Sequence, residues 1–466
     1  MASTKTKERP KPFLFPQFCK ACGRCISACP KDCIRMGTEI HPATGFTPVV
    51  LDLEVCNGCG LCLDACPEPY GLMPVPADVD FELLDPEKLF GERVSSAPTP
   101  YPIPDVRVPL PDLETMILKG THASAVGAIL AGCRHFFGYP ITPSTEGAEL
   151  LARLLPELSG VFVQAVSEVA TVNMMYGCGG AGLRSMTFTS SPGFSLMLEG
   201  ISYMIGSEVP GVFFNVMRGG PGLGNIGPEQ GDIKLACRGL GHGNTHAVVL
   251  APSTPQEMLD LTMNAFDLAF KYRNPVVLVS DGYLGQMTGR VNLPPYMIKP
   301  GLPEWAVHGD ETHRGNLICS IFLSETDLEQ HNIHLLEKYE QMIQDEQRAD
   351  LFHCGDADWV VVASNTPARM AKGAVQQLRD RGVRVGLFRP ITLWPFPIDA
   401  LTPLLQRASG LIVVEAGAGQ LEDELRLAAS HAGIHAMPPI HRVRHYGGVL
   451  PQQQEIVDTV TALAGV

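Results

Sequence analysis

At 466 residues and 45% hydrophobic content the chain can bury more than one core. Single cores stop growing at roughly 250 to 300 residues, so two or three domains are expected. A formal charge of -14, from 35 Lys and Arg against 49 Asp and Glu, excludes the basic footprint that nucleic acid or an anionic membrane demands, and leaves a small anionic metabolite dependent on a local cation.

The first residues, "MASTKTKERPKPFLFPQ", carry positive charge but no apolar segment, and nowhere do ~18 apolar residues run together. A soluble, cytoplasmic protein is expected. Next come two near-repeats, "CKACGRCISACP" at 19 to 30 and "CNGCGLCLDACP" at 56 to 67, which hold eight of the 14 cysteines. The spacing Cys-x2-Cys-x2-Cys-x3-Cys-Pro, present twice, is the bacterial iron-sulfur run, in which the fourth thiolate of each block crosses to the other cluster. Two 4Fe-4S clusters follow, one held by Cys19, Cys22, Cys25 and Cys66 and the other by Cys56, Cys59, Cys62 and Cys29. Gly23, Gly58 and Gly60 let the backbone wrap the clusters. Zinc, which uses pairs of Cys-x2-Cys knuckles, is the competing reading; the third cysteine at the same step and the repeated Cys-Pro argue against it. Cys33 is left over and reads as a small buried thiol. Cys133, Cys178, Cys237, Cys319 and Cys354 are scattered through apolar sequence, and a disulfide scaffold is not expected in so large a chain.

Residues 67 to 111 contain eleven prolines, a density that predicts an extended tether, with the linker placed at 73–112. From residue 113 short apolar strands alternate with amphipathic helices: "HFFGYP", "VFVQAVS", "SMTFTSS", "GVFFNVM", "HAVVLAP" and "PVVLVSDG" read as strands, and the alternation predicts a mainly parallel sheet covered by helices over 113–295. Ser253 or Thr254 should cap a helix with Pro255 in its first turn. Residues 296–352 break the pattern, with "HNIHLLEKYEQMIQDEQRAD" as a solvated helix. A second, smaller α/β unit is expected at 353–466, carried by "ADWVVVASN", "VRVGLFRP" and "GLIVVEAG".

Three stretches carry candidate chemistry. In "GYPITPSTEG", Thr142 closes a strand at the carboxyl edge where open α/β sheets bind ligands; it reads equally as a helix N-cap with Pro143 in the first helical position. Glu168, in "VFVQAVSEVATV", is the sole carboxylate between Glu157 and Glu199, and reads either as a functional acid or as a first-turn glutamate complementing the helix dipole. In "VFFNVMRGGPGLGNIGPEQGD", Arg218 ends a strand and suits bidentate grip on a carboxylate, with a surface salt bridge as the alternative. The glycine-rich loop after it lacks the context of a dinucleotide fingerprint. His122, His135, His242 and His246 show no ligand spacing and read as structural. Glu415, in "VVEAGAGQLEDEL", reads as part of a structural or subunit-contact turn.

Residues 12 to 70 resemble the two-cluster bacterial ferredoxins at every ligand position. "YPITPS", "SEVATVNMMYG" and "RGGPGLGN...PEQGD" together resemble the alpha-subunit motifs of the 2-oxoacid:ferredoxin oxidoreductases, thiamine diphosphate enzymes, over about residues 113 to 460. That resemblance implies an α/β fold: a parallel-sheet pyrimidine domain of the thiamine fold at 113–295 and a transketolase-C-terminal-like domain at 353–466, preceded by a small α+β ferredoxin domain at 1–72. It places Glu168 at the glutamate that hydrogen-bonds the thiamine pyrimidine, and Thr142 and Arg218 at the positions that receive the 2-oxoacid carboxylate. It implies oxidative decarboxylation of a 2-oxoacid to acyl-CoA and CO2, coenzyme A taking the acyl group and single electrons passing through the clusters to a soluble ferredoxin.

One departure bears on partners. The Gly-Asp-Gly motif that binds the diphosphate and its Mg2+ through oxygen ligands is absent: "GDIK" at 231 and "GDAD" at 355 lack the second glycine, and Asn365 follows the latter too closely. A separate beta subunit is therefore implied as the source of that half-site, and a gamma subunit is a further candidate partner; alone, the chain should be inactive. The loop after Arg218 resembles the branched-chain 2-oxoacid members more than the 2-oxoglutarate members. The alternative from another class is a non-catalytic electron-transfer adaptor whose α/β part is a docking scaffold.

Overall fold

The computed structural model describes residues 10–42, 44–68, 71–75 and 103–465. It divides into two compact units, Met1–Ala97 and Pro98–Val466. Most of the expected proline-rich linker, residues 76–102, lies outside the described residues.

The first unit is built from two copies of one short device. Strands β1 (Lys11–Leu14), β2 (Ile34–Met36), β3 (Val49–Leu51) and β4 (Leu72–Val75) pair antiparallel as β1 with β4 and β2 with β3. Between them sit two single-turn helices, Arg24–Ala28 and Leu61–Ala65, each entered through a left-handed glycine, Gly23 at φ 71° and Gly60 at φ 83°. A Cβ on either would meet no protein atom within 4 Å, so the backbone conformation, rather than crowding, is what selects glycine there. Each helix buries the third cysteine of its block, Cys25 or Cys62, and ends on the fourth, Cys29 or Cys66. Ile34, Val49 and Leu72 complete this small core together with Cys33, which is buried as expected.

The second unit contains, in chain order, β5 (Val106–Pro109), β6 (Met116–Lys119), β7 (His135–Gly138), β8 (Val161–Gln164), β9 (Ser185–Thr189), β10 (Gly211–Met217), β11 (Val248–Leu250), β12 (Pro275–Asp281), β13 (Thr288–Val291) and β14 (Tyr296–Lys299). They are followed by β15 (Ala349–Phe352), β16 (Trp359–Val362), β17 (Val385–Pro390), β18 (Thr392–Trp394), β19 (Gly410–Glu415) and β20 (Ile440–Arg444). The large sheet has the order β18-β11-β12-β10-β9-β7-β8. Its strands β7 to β12 run parallel to one another, as alternating strands and helices predict. Every residue of β9, β10 and β12 is buried, as in strands covered on both faces. Burying each Val, Leu or Phe side chain stabilises such a layer by roughly 1.5–3 kcal/mol.

The helix Pro255–Tyr272 is capped as expected: the Thr254 hydroxyl accepts from Glu257 N at 3.1 Å and Pro255 occupies the first turn. The helix Glu325–Asp345 fits the solvated reading, burying only Leu335, Lys338, Tyr339 and Met342 of its 21 residues.

The smaller sheet has the order β15-β17-β16-β19-β20, parallel except for its edge strand β15. The two sheets share one apolar core that runs from Ala123 to Leu425. They also share a strand: β18 leaves the region of the smaller sheet and pairs antiparallel with β11 of the larger one. Its Trp394 ring stacks on His246 at 4.6 Å. No helix among the described residues is long and apolar enough to cross a membrane.

Candidate functional site

Two groups of cysteines gather in the first unit. Cys19, Cys22, Cys25 and Cys66 line one recess, and Cys29, Cys56, Cys59 and Cys62 line another, with Cys33 beside them. These are the two crossed sets that the spacing predicts. All eight thiols are free. Among the described residues, no three His, Cys, Asp or Glu converge closely enough to share a single metal ion. A four-iron cube takes one thiolate per iron, and four thiols spread around each recess offer that. The donor set therefore fits iron-sulfur cubes.

The other candidates collect on the carboxyl edge of the large sheet. The chain passes from β7 outward to β8, then returns to β9 on the other side of β7 and continues to β10. Connections that diverge in this way open a crevice above the strand ends, the usual ligand position of such sheets. The segments after β7, β8, β9 and β10 bring Thr142, Glu168, Ser191 and Arg218 to that edge.

Glu168 is the first residue of the helix Glu168–Gly180, whose N-cap Ser167 accepts from Ala170 N at 3.3 Å. It is 4% exposed, so it is not a surface group answering the helix dipole. It lies against the helix Ser191–Gly206: a Cβ on Gly193 would come within 2.4 Å of both Glu168 Oε1 and Thr189 Oγ1. Glycine at that position makes room for the carboxylate. The Thr189 hydroxyl is buried without a partner, and among the described residues nothing donates to the Glu168 carboxylate. A buried acid beside an orphaned hydroxyl suits a ligand that presents ring nitrogens, as the thiamine pyrimidine does.

Arg218 and Thr142 are in contact. Arg218 Nη1 donates to the Thr142 carbonyl at 2.6 Å and Nη2 to the Leu223 carbonyl at 3.2 Å. No ion pair engages it among the described residues, and its Nε is buried without a partner. Two of its five N–H donors are thus engaged and the remainder, Nε among them, are open to an incoming carboxylate. The helix after β7 begins at Thr145 with Ser144 as N-cap, so Thr142 is not the cap and its side chain is exposed.

Several residues at this edge give no signal in the sequence. Ser191 Oγ donates to Asp232 Oδ2 at 2.5 Å and accepts from Arg218 N at 3.0 Å. Asn215 Nδ2 donates to the same carboxylate oxygen at 3.0 Å. Gln230 is fully buried, pairs with the backbone of Ala416 at 2.6 and 2.9 Å, and donates to Ser364 Oγ at 2.9 Å. Asp281 caps the helix Gly282–Gln286 and accepts from Thr366 N and Oγ1 at 2.9 and 2.7 Å; burial pushes its carboxyl above the ordinary range. In the sequence Gln230 and Asp232 belong to the "PEQGD" stretch, and Asp232 and Asn365 to incomplete Gly-Asp-Gly motifs, with no role of their own. A useful signal would have been the polar pair Ser190-Ser191 directly after an apolar strand.

Glu415 ends β19, accepts from Leu421 N at 3.0 Å and lies 2.8 Å from Arg444 Nε. Burial raises its pKa to about 7.

Residues 126–342 match the family "Pyruvate flavodoxin/ferredoxin oxidoreductase, thiamine diP-bdg", residues 357–456 the "Pyruvate:ferredoxin oxidoreductase core domain II", and residues 18–69 the "4Fe-4S dicluster domain". The ketoisovalerate oxidoreductase subunit VorB of Methanothermobacter thermautotrophicus is 44% identical over 355 residues, 76% of this chain and 99% of the relative. The 2-oxoglutarate synthase subunit KorA of Archaeoglobus fulgidus is 38% identical over 318 residues, 67% of this chain and 91% of the relative. Among solved structures, the 2-oxoglutarate:ferredoxin oxidoreductase from Magnetococcus marinus, with 2-oxoglutarate, coenzyme A and succinyl-CoA bound, superposes with a TM-score of 0.68 at 27% identity, covering 75% of this chain and 65% of that one. With a 4Fe-4S dicluster domain ahead of a thiamine-diphosphate-binding α/β core, the chain belongs to the 2-oxoacid:ferredoxin oxidoreductase family.

Proposed function

We propose that the chain is the pyrimidine-binding, cluster-carrying alpha subunit of a coenzyme A-dependent 2-oxoacid:ferredoxin oxidoreductase. One 2-oxoacid anion and one coenzyme A thiol give acyl-CoA, CO2, one proton and two electrons, which leave singly through the clusters to ferredoxin. The observation that carries this reading is the buried Glu168 carboxylate, placed on the same sheet edge as the Thr142–Arg218 contact.

Thiamine diphosphate, when bound, supplies the carbon nucleophile and the electron sink that side chains lack. Glu168 holds and exchanges a proton at the pyrimidine N1′, in a pocket where Gly193 leaves it room and little water competes. Arg218 binds the substrate carboxylate, with Thr142 beside it, which fixes the keto carbon for attack. Cys19, Cys22, Cys25 and Cys66 would hold one cluster and Cys56, Cys59, Cys62 and Cys29 the other, and the clusters would supply one-electron chemistry.

The absence of Gly-Asp-Gly supports a beta subunit that supplies the diphosphate and Mg2+ half of the site, with a gamma subunit as a further partner and the cytoplasm as the compartment. We assign residues 1–72 to the ferredoxin domain, 73–112 to the linker, 113–295 to the pyrimidine domain, 296–352 to a connecting segment and 353–466 to the transketolase-C-terminal-like domain. A branched-chain 2-oxoacid is favoured over 2-oxoglutarate by the loop after Arg218 and by the 44% identity to the ketoisovalerate relative.

The test is reconstitution with the beta subunit and turnover of 2-oxoisovalerate and 2-oxoglutarate under anaerobic conditions. Glu168→Gln should lower acyl-CoA formation and cluster reduction by about 10²- to 10⁴-fold at unchanged iron content. Parent-like turnover of that variant would leave the chain as an electron-transfer adaptor.

A further inference from the structure

The second half of the motif "RGGPGLGNIGPEQGD" is not accounted for by Arg218 alone. Arg218 stands just beyond the ladder that β10 makes with its neighbours: pairing with β9 ends at Asn215–Thr189 and pairing with β12 at Met217–Asp281. Its backbone N–H therefore has no strand to bond on the β9 side, and Ser191 Oγ takes it at 3.0 Å. A serine hydroxyl has one proton to give. Two acceptors compete for it, the Arg218 carbonyl at 3.4 Å and Asp232 Oδ2 at 2.5 Å. Charge and distance both favour the carboxylate. With the proton committed to Asp232, a lone pair of Ser191 is left pointing at Arg218 N–H. Asn215, inside β10, donates to the same carboxylate oxygen at 3.0 Å and fixes it to the strand.

We propose that Asp232 is a positioning residue which, through Ser191, sets the backbone of Arg218 so that its guanidinium meets the substrate carboxylate. The inference rests on the reading of Arg218 as the carboxylate receiver. Asp232 touches neither substrate nor cofactor; it acts by fixing which way a hydroxyl points 41 residues earlier in the chain.

The experiment uses the full chain reconstituted with its beta subunit, with 2-oxoisovalerate and 2-oxoglutarate as probes. Ser191→Ala and Asp232→Asn are compared with the parent and with Arg218→Gln. Ser191→Ala should raise the KM for the 2-oxoacid about tenfold while kcat falls no more than about threefold and the KM for coenzyme A stays put, the signature of a lost substrate-binding contact. Asp232→Asn should raise it less, because the amide oxygen can still accept the hydroxyl, and Ser191→Thr, which keeps the hydroxyl, should restore the parent value. If Ser191→Ala and Asp232→Asn both fold and bind iron yet keep a parent-like KM for the 2-oxoacid, while Arg218→Gln raises it, the positioning role is wrong. If Arg218→Gln leaves that KM unmoved, the carboxylate assignment fails first and the positioning role falls with it. Loss of the thermal unfolding transition in both Ser191→Ala and Asp232→Asn would make the network a folding element and would equally overturn the role.

Discussion

Gly193 is the residue on which the acid site most directly depends. Adding one methyl group there would force both Glu168 Oε1 and Thr189 Oγ1 to move, since each lies 2.4 Å from where it would sit. Gly193→Ala in the reconstituted enzyme should cut acyl-CoA formation by about 10²-fold, the order expected for a displacement of ~1 Å at a reacting group. The thermal midpoint should stay close to the parent, because alanine in a helix regains roughly 0.5–1 kcal/mol that glycine forgoes. Steady-state turnover and a melting curve on the same sample check both halves. Glu168, Thr142 and Arg218 stand out in the sequence because each is a polar residue at or shortly after the end of an apolar run. Ser191, Asn215 and Asp232 do not, because what they do depends on pairings between strand ends that spacing along the chain cannot express.

At the scale of elements, each iron-sulfur block carries its third cysteine inside a short helix and its fourth at the end of that helix. The fourth thiol then lines the recess of the other block. Cys66→Ala should therefore impair the cluster whose other ligands lie some forty positions earlier. Iron and labile-sulfide assays should fall to about half of the parent value, and the surviving spectroscopic signal should be the one that Cys29→Ala removes. The strands of the α/β unit were legible from apolar runs between turn residues. Helix starts were less so: Thr142-Pro143 suggests one, yet Ile141–Ser144 forms a turn held by Ser144 Oγ on the Ile141 carbonyl at 2.7 Å, and the helix begins at Thr145. Strand β18 left no trace in the sequence, because three residues are too few to show a period and its partner strand lies about 140 positions earlier.

Across the whole α/β unit, buried carboxylates tie stability to pH. The Glu415 pKa is raised to about 7 by burial, ahead of the opposing pull of Leu421 N–H and Arg444. A raised carboxyl binds its proton more tightly in the folded state, so its contribution is fully present below the unfolded value near 4.5 and is lost as pH rises through about 7. The chain should melt at a lower temperature at pH 8 than at pH 6, and Glu415→Gln should flatten that slope. Melting curves across that window provide the check.

Strand β18 also bears on how the molecule comes to be made. Until Thr392–Trp394 has been synthesised, β11 is the outermost strand of the large sheet, with its backbone groups open on one side. Uncovered edges of this kind recruit other chains. On the ribosome the large sheet therefore spends the time needed to add some 140 residues with that edge unguarded, at about 5 to 20 residues per second. Fragments ending before residue 392 should accumulate as aggregates even though every residue proposed to meet the substrate is already present in them.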